Sequence, residues 1–129
     1  MSGKMTELHK TLIQKLLDDI PSCSAKGFWN AHDALRKSLG LEPLRVRIRP
    51  DAFRINHESS EIEIYEVEVE SVLTSAKIRE LGVLWEEWDA EGTHDWLPVL
   101  FVVDRYGNIN RLDLMDAYHE SGWAAALIK

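Results

Sequence analysis

Three glutamates, Glu66, Glu68 and Glu70, recur at every second position near the end of the segment Ile62 to Glu70. On a β-strand, alternate residues share one face, roughly 6–7 Å apart at each step. Carboxylates at that spacing repel by about 2 kcal/mol per pair at an effective dielectric of roughly 20. A positive charge over that face is therefore required, either a bound divalent cation or arginines from a neighbouring strand. Just upstream stand an arginine-alternating stretch, Arg45-Val46-Arg47-Ile48-Arg49, and a Pro50-Asp51 pair. Each has a plainer reading. Pro-Asp often merely opens a turn, the glutamates can face water or pair with Arg54, and alternating arginines are common on the solvated face of an edge strand.

Composition bounds the possibilities. A chain of 129 residues, 45% apolar and 29% charged, fits one domain (residues 1–129) with a hydrophobic core of its own. No run approaches a membrane span, Met1-Ser2-Gly3-Lys4 leads directly into an amphipathic segment, and the single cysteine, Cys23, excludes an intrachain disulfide. These features predict a cytoplasmic protein with no membrane partner. The net charge of −7 argues against indiscriminate nucleic-acid binding, but the charge is unevenly spread. Residues 26–54 carry seven Lys/Arg against three Asp/Glu, a local +4, whereas residues 55–129 carry −11. A polyanion could dock on the first segment while a metal collects at the second; the alternative is charge balance between neighbouring elements.

The elements that must position these residues follow from periodicity. Met5, Leu8, Leu12, Ile13, Leu16, Leu17 and Ile20 predict an amphipathic helix closed by Pro21. A second helix runs from about Ala25 or Gly27 to Leu39, burying Phe28, Leu35 and Leu39, with Gly40 as its left-handed cap. Three strands follow: Arg45–Arg49, a segment around Phe53–His57, and Ile62–Glu70, with Glu58-Ser59-Ser60 as a hairpin tip. On the last of these each face changes character halfway, Ile62 and Ile64 giving way to Glu66, and Glu61 and Glu63 to Tyr65 and Val67. A helix capped by Ser71 or Thr74 runs to about Ala90, with the stripe Ile78, Leu81, Leu84, Trp85 and Trp88. Leu97–Val103 predicts a strand buried on both faces, and Asp104–Asn108 a turn into a short strand, Ile109–Leu112. A last helix covers about Asp113–Glu120. The order is α-α-β-β-β-α-β-β-α.

From the second helix to the buried strand, roughly residues 28–104, this order resembles the core of the PD-(D/E)xK, or restriction-endonuclease-like, nuclease superfamily. Pro50-Asp51 opens one strand and Glu66-Val67-Glu68 follows on the next, where that family carries its two motifs. The resemblance implies an α/β fold (an α+β mixed sheet): helix, three-strand meander, helix and strand, plus an additional hairpin strand and helices. It implies that Asp51 and Glu66, with Glu68, hold one or two divalent cations, Mg²⁺ or Mn²⁺. It departs from the pattern at Glu68, which stands where the motif lysine is expected. Some members use Glu there, and others supply the lysine from the following helix. Lys77 fits the second route, because it lies four residues before Leu81 and seven before Leu84, on the inward stripe of its helix.

The catalytic set so implied is Asp51, Glu66, Glu68 and Lys77, with Arg45, Arg47, Arg49 and Arg54 holding the nucleic-acid backbone. Mg²⁺ is oxygen-seeking and is commonly held by one or two carboxylates plus waters and a substrate phosphate. The expected activity is metal-dependent hydrolysis of DNA phosphodiesters, in repair, recombination, replication or phage and mobile-element biology. DNA is the expected partner, with a homodimer or a protein partner also possible. The alternative is a catalytically inactive, nuclease-like accessory protein binding protein or DNA, in which Arg47, Arg49 or Arg54 neutralises the acidic face. A third reading is an acidic interaction protein of unrelated α+β fold. Within the nuclease reading, Glu7 on the first helix is expected at the surface, with an accessory role at the metal as the alternative. His9, His32, His57, His94 and His119 show no metal-pair spacing.

Overall fold

Three amphipathic helices form where the stripes require them. The computed structural model describes residues 7–45, 48–69, 75–92 and 95–112. Helix α1 (Glu7–Asp19) buries Leu12, Ile13 and Leu16 and ends short of Pro21. Helix α2 (Phe28–Ser38) starts after Gly27, whose φ of 83° lies in the left-handed region that glycine enters without a Cβ clash. Its buried stripe is Phe28, His32, Leu35 and Arg36. Leu39, expected inside, is 40% exposed, because it sits beyond the last turn where the chain leaves the stripe. Helix α3 (Ser75–Ala90) buries Leu81, Leu84 and Trp88 completely, with Ile78 and Trp85 packed against the same cluster.

The strands β1 (Ala52–Asn56), β2 (Glu61–Val67), β3 (Leu97–Val103) and β4 (Ile109–Leu112) form one mixed sheet in the order β1-β2-β3-β4. β1 and β2 are an antiparallel hairpin, with Phe53 opposite Ile64 and Ala52 opposite Tyr65. The Asn56 side-chain oxygen closes that turn by accepting from the Glu58 and Ser59 amides. α3 then carries the chain across so that β3 lies parallel to β2, Glu66 opposite Val102. The Asp104 turn returns it as β4, antiparallel to β3.

β2 is the central strand and faces two different cores. Ile62 and Ile64 face α2 and α3, in a cluster with Phe28, Phe53, Leu81, Leu84, Trp88 and Leu100. Tyr65 and Val67 face α1, in a cluster with Leu12, Ile13, Leu16, Ala52 and Val103. The architecture is a mixed α/β fold with one helix on one side of the sheet and two on the other.

One expected strand does not form at the described residues of its segment. Arg45 and Ile48–Pro50 lie outside any strand, so the three-strand meander reduces to a two-strand hairpin among the described residues. The edge of β1 that this strand would occupy is taken by Ser24, whose backbone exchanges two 2.9 Å hydrogen bonds with Phe53. Ile48 instead plugs into the core at 2% exposure, and its carbonyl accepts from the Trp29 indole at 2.7 Å. The terminal helix expected over Asp113–Glu120, the caps Ser71 and Thr74, and Arg47 and Glu70 lie outside the described residues.

Candidate active site

Asp51 immediately precedes β1, and Glu66 lies at the far end of β2. Continuing the antiparallel register by one pair brings Asp51 opposite Glu66. The Asp51 amide lies 3.3 Å from Glu66 Oε2, and the Val67 amide donates to Asp51 Oδ2 at 2.8 Å. Asp51 therefore ends the ladder with its side chain. Its carboxylate is fixed across the end of the hairpin instead of projecting freely into solvent.

Helices from both layers reach the same spot. From α3, Lys77 brings Nζ to 3.2 Å from Glu66 Oε1 and 3.4 Å from the Arg49 carbonyl oxygen. From α1, on the opposite side of the sheet, His9 Nε2 lies 2.9 Å from the Val67 carbonyl oxygen and 3.3 Å from Asp51 Oδ2. A carbonyl only accepts, so Nε2 carries the proton and shares it between the two oxygens. His9 was missed in the sequence as a site residue, yet a signal existed. It precedes Leu12, Ile13 and Leu16 by three, four and seven residues, and so shares their buried face.

Electrostatics separates the carboxylates. Glu66 is 3% exposed, and burial first, then the Asp51 carboxylate, push its carboxyl up to about 8 against the pull of Lys77. Glu68 is shifted upward as well, by burial and then by Asp51, with His9 and Lys77 opposing. Each of the four residues implied as catalytic thus interacts with another: Asp51 with Glu66 and Glu68, and Lys77 with both glutamates. Among the described residues, however, no three acidic, histidine or cysteine side chains form a ready-made metal cage.

The arginines divide. Arg54 is committed elsewhere: it pairs bidentately with Glu63, at 2.9 Å from Nε and 2.7 Å from Nη2, and also reaches Ser22. It neutralises neither Glu66 nor Glu68, and its guanidinium is engaged in the fold, not held open for a phosphate. Arg45 and Arg49 are exposed. Glu7 is at the surface, with its carboxylate 93% exposed and 3.9 Å from Lys10 Nζ.

The donor set fits a hard divalent cation. Asp51 and Glu66 supply carboxylate oxygens, and Mg²⁺ needs only one or two of these besides water. Among the described residues, Glu66 Oε2 accepts only the long bond from the Asp51 amide, so it retains capacity for another partner. In comparison with known proteins, the chain matches no family model, no curated protein and no solved structure.

Proposed function

We propose that the chain is a metal-dependent nuclease that hydrolyses DNA phosphodiesters at the Asp51–Glu66–Lys77 cluster. One observation carries the reading: two carboxylates and an amine, from three separate elements, meet where one buried carboxyl is under-compensated. Structural ion pairs normally relieve such a charge, whereas perturbed groups held together are the habit of reactive sites. Asp51 and Glu66, with Glu68 beside them, would hold Mg²⁺ or Mn²⁺. The metal's contribution is charge stabilisation on the phosphoryl oxygens and acidification of a bound water. Lys77 holds an ammonium at the same place, able to orient that water or the scissile phosphate. His9 fixes the Asp51 carboxylate. The exposed Arg49, two residues before Asp51, and the exposed Arg45 would serve as backbone contacts, with Arg47 between them in sequence.

A second reading draws on the Lys77–Glu66 contact. The ammonium already lies on Glu66 and can serve as its counter-charge without any ion, as a non-catalytic accessory protein would need. Calorimetric titration of Mg²⁺ and Mn²⁺ into the wild type, Asp51→Asn and Glu66→Gln separates the two. The nuclease reading expects binding heat in the wild type, loss of it in both variants, and at least a hundredfold loss of cleavage. Equal heats in all three end it. Metal binding with no cleavage of linear, branched or single-stranded DNA leaves the accessory reading.

A further inference from the structure

A cleft of about 650 Å³ opens beside Asp51, between α1 and the start of α2. That is within the size range of small-ligand sites, roughly 300–1,000 Å³. Its walls are apolar and aromatic, with Ile13, Leu17, Phe28 and Trp29 prominent, while Lys10, Lys26 and Arg49 supply cationic groups. Asp51, at the end nearest the site, is the only acidic residue among the described residues that line it. Three cations against one carboxylate is the reverse of the balance in the chain as a whole, −7. Among the described residues, Lys26 and Arg49 have no carboxylate partner and Lys10 has only the weak 3.9 Å contact to Glu7. Trp29 is anchored, because its indole donates to the Ile48 carbonyl. At Gly27, on the rim, a Cβ would meet nothing within 4 Å, so the backbone there borders open space.

An apolar slot beneath a cationic rim matches one kind of group, a flat heterocycle attached to a phosphate. A duplex offers this surface only its phosphates, since its bases are stacked and paired. A single strand can turn a base into the slot, where stacking and burial reward it without regard to sequence. We propose that this cleft holds one nucleotide of a single DNA strand beside the cutting site, base in the slot and phosphates along Lys10, Lys26 and Arg49. The proposal deepens the nuclease reading and rests on it for the site, naming the substrate as single-stranded at that position.

The test uses the full chain in EDTA, so that nothing is cut, with fluorescein-labelled dT8 followed by anisotropy. Competitors are unlabelled dT8, an octamer of the same backbone with four abasic positions, and an eight-base-pair duplex. The abasic strand and the duplex are each expected to compete at least fivefold more weakly than dT8. The exposed pair Lys10→Gln/Lys26→Gln should bind dT8 at least fivefold more weakly and lower the salt slope by about 0.7 per lysine. Equal competition by the abasic strand or the duplex, unchanged binding by the double variant, or no binding of dT8 overturns the proposal. If dT8 binds as expected but no DNA is cut when Mg²⁺ is added, the cleft stands and the nuclease reading falls. If DNA is cut while the abasic strand competes equally, the cleft falls and the nuclease reading stands.

Discussion

Glu63 and Glu66 lie three residues apart on the same central strand, on opposite faces, each only 3% exposed. They are shifted in opposite directions. Burial raises both, but at Glu63 it is overcome by Arg54, with Tyr65 and Asn56 also donating, and the carboxyl is held below its ordinary range. At Glu66 the helpers are one ammonium at 3.2 Å and one amide at 3.3 Å, and Asp51 works against them. Both side chains are closed to solvent to the same degree, but Glu66 lies deeper among protein atoms, so burial weighs more on it, and it also has fewer donors to offset that burial. A buried acid with every lone pair engaged is part of the scaffold, while one left short of positive charge is where an incoming cation gains most.

The largest difference should come from neutralising each acid in turn. Glu63→Gln removes the bidentate pairing and leaves Arg54, 31% exposed, without its partner, at a cost of about 2–3 kcal/mol in urea unfolding. Metal-dependent cleavage by the folded fraction should be retained. At neutral pH Glu66→Gln is expected to be neutral or stabilising, because glutamine removes an ionisation that folding opposes. It should abolish Mg²⁺ binding and cleavage. The comparison breaks if Glu66→Gln destabilises the chain as much as Glu63→Gln does.

Lys77→Met asks what the ammonium contributes. Without it the site is more negative, so Mg²⁺ should bind as tightly as before or more tightly. Cleavage should nevertheless fall by about a hundredfold, the order expected when a group that positions or protonates the reacting atoms is removed. A variant that binds Mg²⁺ and cuts at the wild-type rate places the amine outside the reaction.

The two acids should also give stability opposite slopes with pH. A group whose carboxyl is raised on folding takes up a proton in the native state that the unfolded chain does not hold. Glu66 therefore makes folding less favourable as pH rises from its unfolded value toward about 8. The stability of Glu66→Gln relative to wild type should accordingly increase over that window. Glu63 behaves in the reverse sense. Its stabilisation is present above the unfolded carboxyl value and is lost as pH falls through its lowered folded value, so wild type and Glu63→Gln should converge in acid. If Mg²⁺ binds through Glu66 as proposed, it needs the ionised carboxylate, so its affinity should rise by up to about tenfold per pH unit until about 8 and then level off. A flat profile means Glu66 is not a ligand.

Much of this was legible before the fold was known. Period-two alternation found β1 and β2, and the change of character midway along β2 marked where Glu66 meets Asp51 and Lys77. Lys77 could be placed by counting back from Leu81. That Arg45 and Ile48–Pro50 lie outside any strand was not legible, because Arg45–Arg49 alternates like a strand and the competing partner, Ser24, is far away in sequence. Which acid Arg54 would choose was equally hidden. Register decides it: Arg54 stands directly opposite Glu63, a pairing set by the length of a turn that composition does not encode.

The smallest expected effect belongs to His9, and it tests how Asp51 is held. The ring spans Val67 O and Asp51 Oδ2, joining the α1 layer to the end of the hairpin, while the Val67 amide gives Asp51 a second support at 2.8 Å. His9→Ala should therefore cost only about 0.5–1.5 kcal/mol of stability, the ordinary net value of one hydrogen bond. Cleavage should fall only several-fold, with Mg²⁺ affinity weakened to a similar degree, because a loosened Asp51 still reaches the same position. His9→Gln, which can still donate toward the Val67 carbonyl, should recover part of both losses. If His9→Ala were as damaging as Asp51→Asn, the imidazole would be acting on the substrate itself, and the positioning role assigned to it would be wrong.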